Sequence, residues 1–142
     1  MVTAQIAQQI EQYQRQMQQI RAQIEDCQQN MRDMQRRASR LEIDLATFMR
    51  QQAQRRQRIN NLRAIPNAGN VRNRVADRLE RTVTGKSSIK AQRDINTEID
   101  RCRRIVRTLK RRISMLERDY STLERRIREL LQQGQLLTTM KR

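Results

Sequence analysis

Histidine and tryptophan do not occur in this 142-residue chain, phenylalanine occurs once and tyrosine twice. Without histidine there is no imidazole triad, no imidazole acid–base pair and no histidine metal site. All three aromatic rings fall on the apolar stripes described below, so no platform is left for stacking single-stranded bases. Two cysteines, Cys27 and Cys102, do not make a disulfide framework and read as buried thiols acting as small hydrophobes. One proline and three glycines leave few places for helices to break. No segment approaches the ~20 consecutive apolar residues of a membrane span. The opening MVTAQIAQQIEQ has neither the basic region nor the apolar core of a cleaved signal. The expectation is a cytoplasmic protein, or one co-exported with a partner without a cleaved signal peptide.

Hydrophobic residues make up 36% of the chain, too few for the broad apolar faces of a thick core. They are instead strictly placed. Ile6, Ile10, Tyr13, Met17, Ile20, Ile24, Cys27, Met31, Met34, Ala38, Leu41, Leu45 and Phe48 recur at alternating steps of four and three. Ile95, Ile99, Cys102, Val106, Leu109, Ile113, Leu116, Tyr120, Leu123, Ile127 and Leu130 form a second such run. Four-three alternation is the a/d seam of a heptad repeat, a narrow stripe that buries itself against another helix. Two sustained seams also argue against disorder, which high charge and low hydrophobicity would otherwise suggest.

The punctuation divides the chain. A first helical arm spans about 3–64, with polar misses at Gln52 and Arg55 before the seam resumes at Ile59 and Leu62. Ile65, Pro66, Asn67, Ala68, Gly69 and Asn70 form the turn: proline pushes Ile65 out of helix and Gly69 permits positive φ. The second arm spans about 71–133, opening with Val71, Val75, Leu79 and Val83 at steps of four. It is interrupted near 84–88, where Ser87 or Ser88 is available to cap the next helix, and Gly134 can end it, leaving 134–142 frayed. The fold expected is all-α: one domain, an elongated antiparallel helical hairpin resembling a coiled coil. Folding at Pro66–Asn67 pairs residues whose numbers add to about 133, so that Ile6 meets Ile127, Met17 meets Leu116, Ile20 meets Ile113 and Ile24 meets Leu109.

The net charge of +16 is uneven. Residues 51–93 hold 11 basic and 2 acidic side chains, against 7 and 6 in residues 1–50 and 13 and 7 in residues 94–142. Arg55, Arg56, Arg58, Arg72 and Arg74, around the turn, are therefore candidates for binding a polyanion by phosphate contact. The run from Arg101 to Arg112 has seven basic residues and no acid; cross-arm pairing with Glu25, Asp26 and Asp33 is the plainer use of it. Gly85-Lys86-Ser87 lacks the upstream glycine and strand of a phosphate loop and reads as loop chemistry. No carboxylate pair is framed by residues that would make a pocket, so neither an enzyme nor a bound cofactor or metal is expected.

Two helices joined at a glycine-containing turn, without a signal peptide, resemble the WXG100-like superfamily of type VII secretion in Gram-positive bacteria. Asn67-Ala68-Gly69 stands where that family has Trp-X-Gly, with the tryptophan absent. Tyr120-Ser-Thr-Leu-Glu124 matches its Y-x-x-x-[DE] export motif, whose wider hydrophobic form continues to Ile127 and Leu131. Within the superfamily the chain is most similar to the small helical partners of LXG toxins. The resemblance implies a non-enzymatic targeting protein that binds the toxin's N-terminal helical region, beside a second small helical partner.

Read from the residues, partner binding falls to the open side of the seam. On the first arm the candidates are Leu41, Ile43, Leu45, Phe48 and Met49. On the second arm they are Leu109, Ile113, Leu116, Leu123, Ile127, Leu130 and Leu131. The competing reading is a basic coiled-coil protein that binds nucleic acid or another polyanion by charge.

Overall fold

The computed structural model describes residues 2–66 and 69–140, Met140 by its backbone alone. It is all-α: α1 is Val2–Ala64, α2 is Gly69–Thr84 and α3 is Lys86–Met140. The two long helices pack antiparallel, and the second arm bends at Gly85. The stripes read from the sequence are the faces that pack: every residue of both four-three runs is buried or half-buried. Asn67 and Ala68 of the expected turn lie outside the described residues. Gly69 opens α2 at φ 70°, the left-handed conformation its missing Cβ makes cheap.

The chain divides into two compact units, Met1–Asp33 with Ile105–Arg142, and Met34–Arg104. In the first, Cys27, Val106, Leu116 and Leu123 are buried. Arg21 hydrogen-bonds the Tyr120 hydroxyl with its Cζ 5.4 Å from that ring's centroid, and Arg126 Cζ lies 6.0 Å from the centroid of Tyr13. Each such cation–ring contact is worth about 0.5–1 kcal/mol near the surface. Both tyrosines thus bury their rings on the seam and keep a polar or cationic neighbour at the rim.

In the second unit the core is Ala38, Ile59, Ala76, Val83, Ile99 and Cys102. Gln52, a polar miss in the pattern, is also buried. Its Nε2 donates to Ser88 Oγ at 3.0 Å, and that hydroxyl donates to the Thr82 carbonyl at 3.2 Å. Ser88, like Ser87, is available in the sequence to cap α3. It instead satisfies a carbonyl left open at the end of α2, because the interruption is one residue long and α3 already begins at Lys86. Gly85 is required at the bend: a Cβ there would stand 2.4 Å from the Arg81 carbonyl oxygen.

The register departs from expectation. The Arg21–Tyr120 and Arg126–Tyr13 contacts in one unit, and Gln52–Ser88 in the other, join residues whose numbers add to about 140, one heptad beyond 133. Ile20 and Ile24 therefore do not face Ile113 and Leu109. A shift of one heptad returns seam to seam, so the stripes alone cannot distinguish the two registers. The turn does so, by starting α2 about two helical turns before the residue that meets the end of α1. Val71 and Val75 are consequently exposed, the former by 71%, and the inward row of α2 is Arg72, Ala76 and Val83, with Ala76 fully buried. The same shift changes the ion pairs. Glu25, Asp26 and Asp33 are not the partners of the basic run; Arg103 pairs with Glu42, and Arg101 with Glu98 at 3.6 Å.

Two other boundaries move. The helix does not stop at Gly134 but runs on to Met140. An interior glycine costs a helix only about 1 kcal/mol. Half-buried Leu137 extends the seam past it, while Thr138 Oγ1 and Thr139 Oγ1 bond back to the carbonyls of Gly134 and Gln135. Among the described residues no helix is long and apolar enough to cross a membrane.

Candidate interaction surfaces

Burial along α1 is uneven in a telling way. Of its thirteen seam residues from Ile6 to Phe48, only the small Cys27 and Ala38 are buried; the other eleven are half-buried. A seam two helices wide covers one side of each large side chain and leaves the other wet. Full burial of a Leu, Ile or Met is worth about 1.5–3 kcal/mol, and less than about a third of each side chain is still wet, so roughly 0.5 kcal/mol per residue is unrealised. Over eleven residues that is on the order of 5 kcal/mol before the costs of association.

The candidate partner-binding residues fall into three groups. Leu41, Leu45 and Phe48 are half-buried seam residues of the second unit, as are Leu109, Ile113, Ile127 and Leu130 of the first. These keep a free side. Leu116 and Leu123 are buried within the hairpin and present nothing to a partner. Met49 and Leu131 are exposed and lie about 80° round their helices from the seam, where they widen it. Ile43 does not: 65% exposed, it lies about 200° round the helix from Leu41, on the far face.

In the first unit the seam ends in an open groove of about 640 Å³, with Ile6, Ile10, Leu130 and Leu131 on its walls. Gly134 takes a seam position there, and a Cβ added to it would meet nothing within 4 Å. The groove exists because a stripe position carries no side chain.

The second unit holds a different groove, of about 590 Å³, between α1 and α2. Its lining is Ile59, Leu62, Leu79 and Val83, with Thr82, Arg55 and Arg58. The sequence carried a signal for it in the four-three spacing Arg72, Ala76, Leu79, Val83, which the steps of four from Val71 obscured. The candidate polyanion residues are not brought to one face. Arg55 and Arg58 line this groove, whereas Arg56 lines another hollow with Gln52, Gln57, Asn60 and Gln92. Arg72 is half-buried on the inner row of α2 and Arg74 is exposed.

Charge at this end is scarcely neutralised. The only acids of residues 51–93, Asp77 and Glu80, both bind Arg63, at 2.7 and 2.5 Å. Those carboxylates, Glu80 foremost, raise the Arg63 pKa further above its usual value. The ten other basic side chains of the segment have no acid within it left to pair with.

Of the export-motif candidates, Tyr120 is half-buried beside Arg21, and Glu124 is exposed. Both cysteines are buried free thiols. No protein-family model, curated protein or solved structure matches this chain.

Proposed function

We infer that this chain is a non-enzymatic binding protein whose partner is a helix of another protein, laid along the open side of the seam. The supporting observation is the partial exposure of eleven large seam residues on α1, seven in the first unit and four in the second, on faces that are complete only when a further helix covers each. The finer reading, a targeting partner for the helical region of an LXG toxin in type VII export, draws on the helical hairpin and on Tyr120 and Glu124. Tyr120 has a sufficient structural reason in its contact with Arg21, so the motif adds little weight. A polyanion is the second reading, favoured by the ten basic residues near the turn that two acids cannot neutralise.

Photo-crosslinking residues placed at Met49 and Leu131, and at Ile43 on the far face, test these readings in the producing cell. Capture of a helical protein from Met49 and Leu131 but not from Ile43 is the expected result. Nucleic acid captured from Arg56 or Arg74, with no protein captured at Met49 or Leu131, would promote the second reading.

A further inference from the structure

The groove between α1 and α2 has a chemistry that the seam lacks. Its floor is Ile59 and Val83, both buried, and its walls are half-buried Leu62 and exposed Leu79, the latter 46% exposed. Val75 and Val71 carry the row of Leu79 on along α2, both exposed. Arg55 and Arg58 stand on the rim, no carboxylate lines the groove among the described residues, and both nearby acids are held by Arg63. An apolar floor beneath a cationic rim complements a helix whose apolar stripe is flanked by carboxylates. A second copy of this chain suits it poorly, because the unit Met34–Arg104 has 18 basic and 7 acidic residues and would repel its like. A nucleic acid would engage the rim and leave Leu79 bare.

We propose that this groove docks an acidic amphipathic helix of another protein, its apolar stripe on Ile59, Leu62, Leu79 and Val83 and its carboxylates on Arg55 and Arg58. The proposal rests on the reading of the chain as a helix-binding protein and assigns the charge of the partner. The probe is a fluorescent peptide of about three heptads with Leu at a and d and Glu at e and g, titrated against the full chain at about 0.15 M salt. A peptide with Lys in place of Glu, and a single-stranded DNA of about the same length, are titrated beside it.

The acidic peptide should bind, and the Lys peptide should bind at least about tenfold more weakly. Leu79→Asn and the pair Arg55→Glu with Arg58→Glu should each weaken the acidic peptide about tenfold or more. Arg111→Glu with Arg112→Glu, which changes net charge equally in the other unit, should alter it by less than about twofold, with helicity checked for every variant. Equal losses from the two charge reversals, or equal binding of the two peptides, would overturn the proposal. DNA binding that Leu79→Asn spares and Arg55→Glu with Arg58→Glu abolishes, without peptide binding, would also overturn it and mark a polyanion site. Loss of the acidic peptide through Met49→Gln and not Leu79→Asn would overturn the groove while leaving the helix-binding reading intact. If neither peptide binds, the groove proposal fails, and the crosslinks at Met49 and Leu131 decide the broader reading separately.

Discussion

The unit formed by Met1–Asp33 and Ile105–Arg142 is a plain two-helix seam. It has 13 basic and 8 acidic residues, a core of Cys27, Val106, Leu116 and Leu123, and two arginine–tyrosine contacts at its rim. The unit Met34–Arg104 interrupts the same pattern three times: at the turn, at Gly85, and at Gln52, which puts an amide where the stripe calls for a hydrocarbon. It also carries 18 basic residues against 7 acidic. Regular heptads secure pairing, and the departures from them create the features a partner could recognise individually.

The largest effects should come from the buried side of the seam. Leu123→Ala removes a buried side chain from the regular unit and should cost about 2–4 kcal/mol, measured by urea unfolding. Leu45→Ala, at a half-buried position of the other unit, should cost about half as much. Equal costs would mean that the open side of α1 is already covered in the purified chain, as by self-association.

Glycine separates the units next. Gly85→Ala forces a Cβ onto the Arg81 carbonyl and should cost about 1–3 kcal/mol. Gly134→Ala meets open space inside a helix and should stabilise by about 0.5–1 kcal/mol. A stabilising Gly85→Ala would contradict the tight bend.

Gln52→Leu should have a small effect on stability and a more specific effect on register. Gln52 Oε1 is buried without a hydrogen-bond partner, so a leucine should stabilise the unit by about 1 kcal/mol. The amide is a position-specific contact in a seam that otherwise repeats every heptad, and its loss should loosen the register. In chains free of other cysteines, Leu45→Cys with Ile95→Cys should cross-link in both backgrounds. Ala38→Cys with Ile95→Cys, a pair one heptad out of register, should cross-link appreciably only when Gln52 is leucine.

The same repeat explains what the sequence disclosed and what it hid. The four-three runs locate both packing faces, the turn around Pro66 and the break near Gly85 follow from residue chemistry, and Gly69 takes the positive φ its position demands. The register was illegible because a shift of one heptad exchanges one apolar residue for another at every point. Which valines of α2 face inward depended on that register, as did the cross-helix partner of Arg103, whereas Arg101 pairs within α3 in either register. Ile43 stands apart for a local reason: two residues from Leu41, it points about 200° round the helix from the stripe despite its apolar character. The open groove beside Gly134 was hidden by reading that glycine as a stop, when packing of Leu137 carries the helix through it.

Methionines report whether a partner helix closes the seam without the partner being known. Met17, Met31 and Met34 are half-buried on the open face of α1, whereas Met115 is exposed away from it. Oxidative footprinting of the dilute purified chain and of the chain inside the producing cell compares all four at once. Met17, Met31 and Met34 should be protected in the cell relative to the purified chain, while Met115 reacts alike in both. Equal reactivity of the three seam methionines in the two settings would contradict closure by a partner helix.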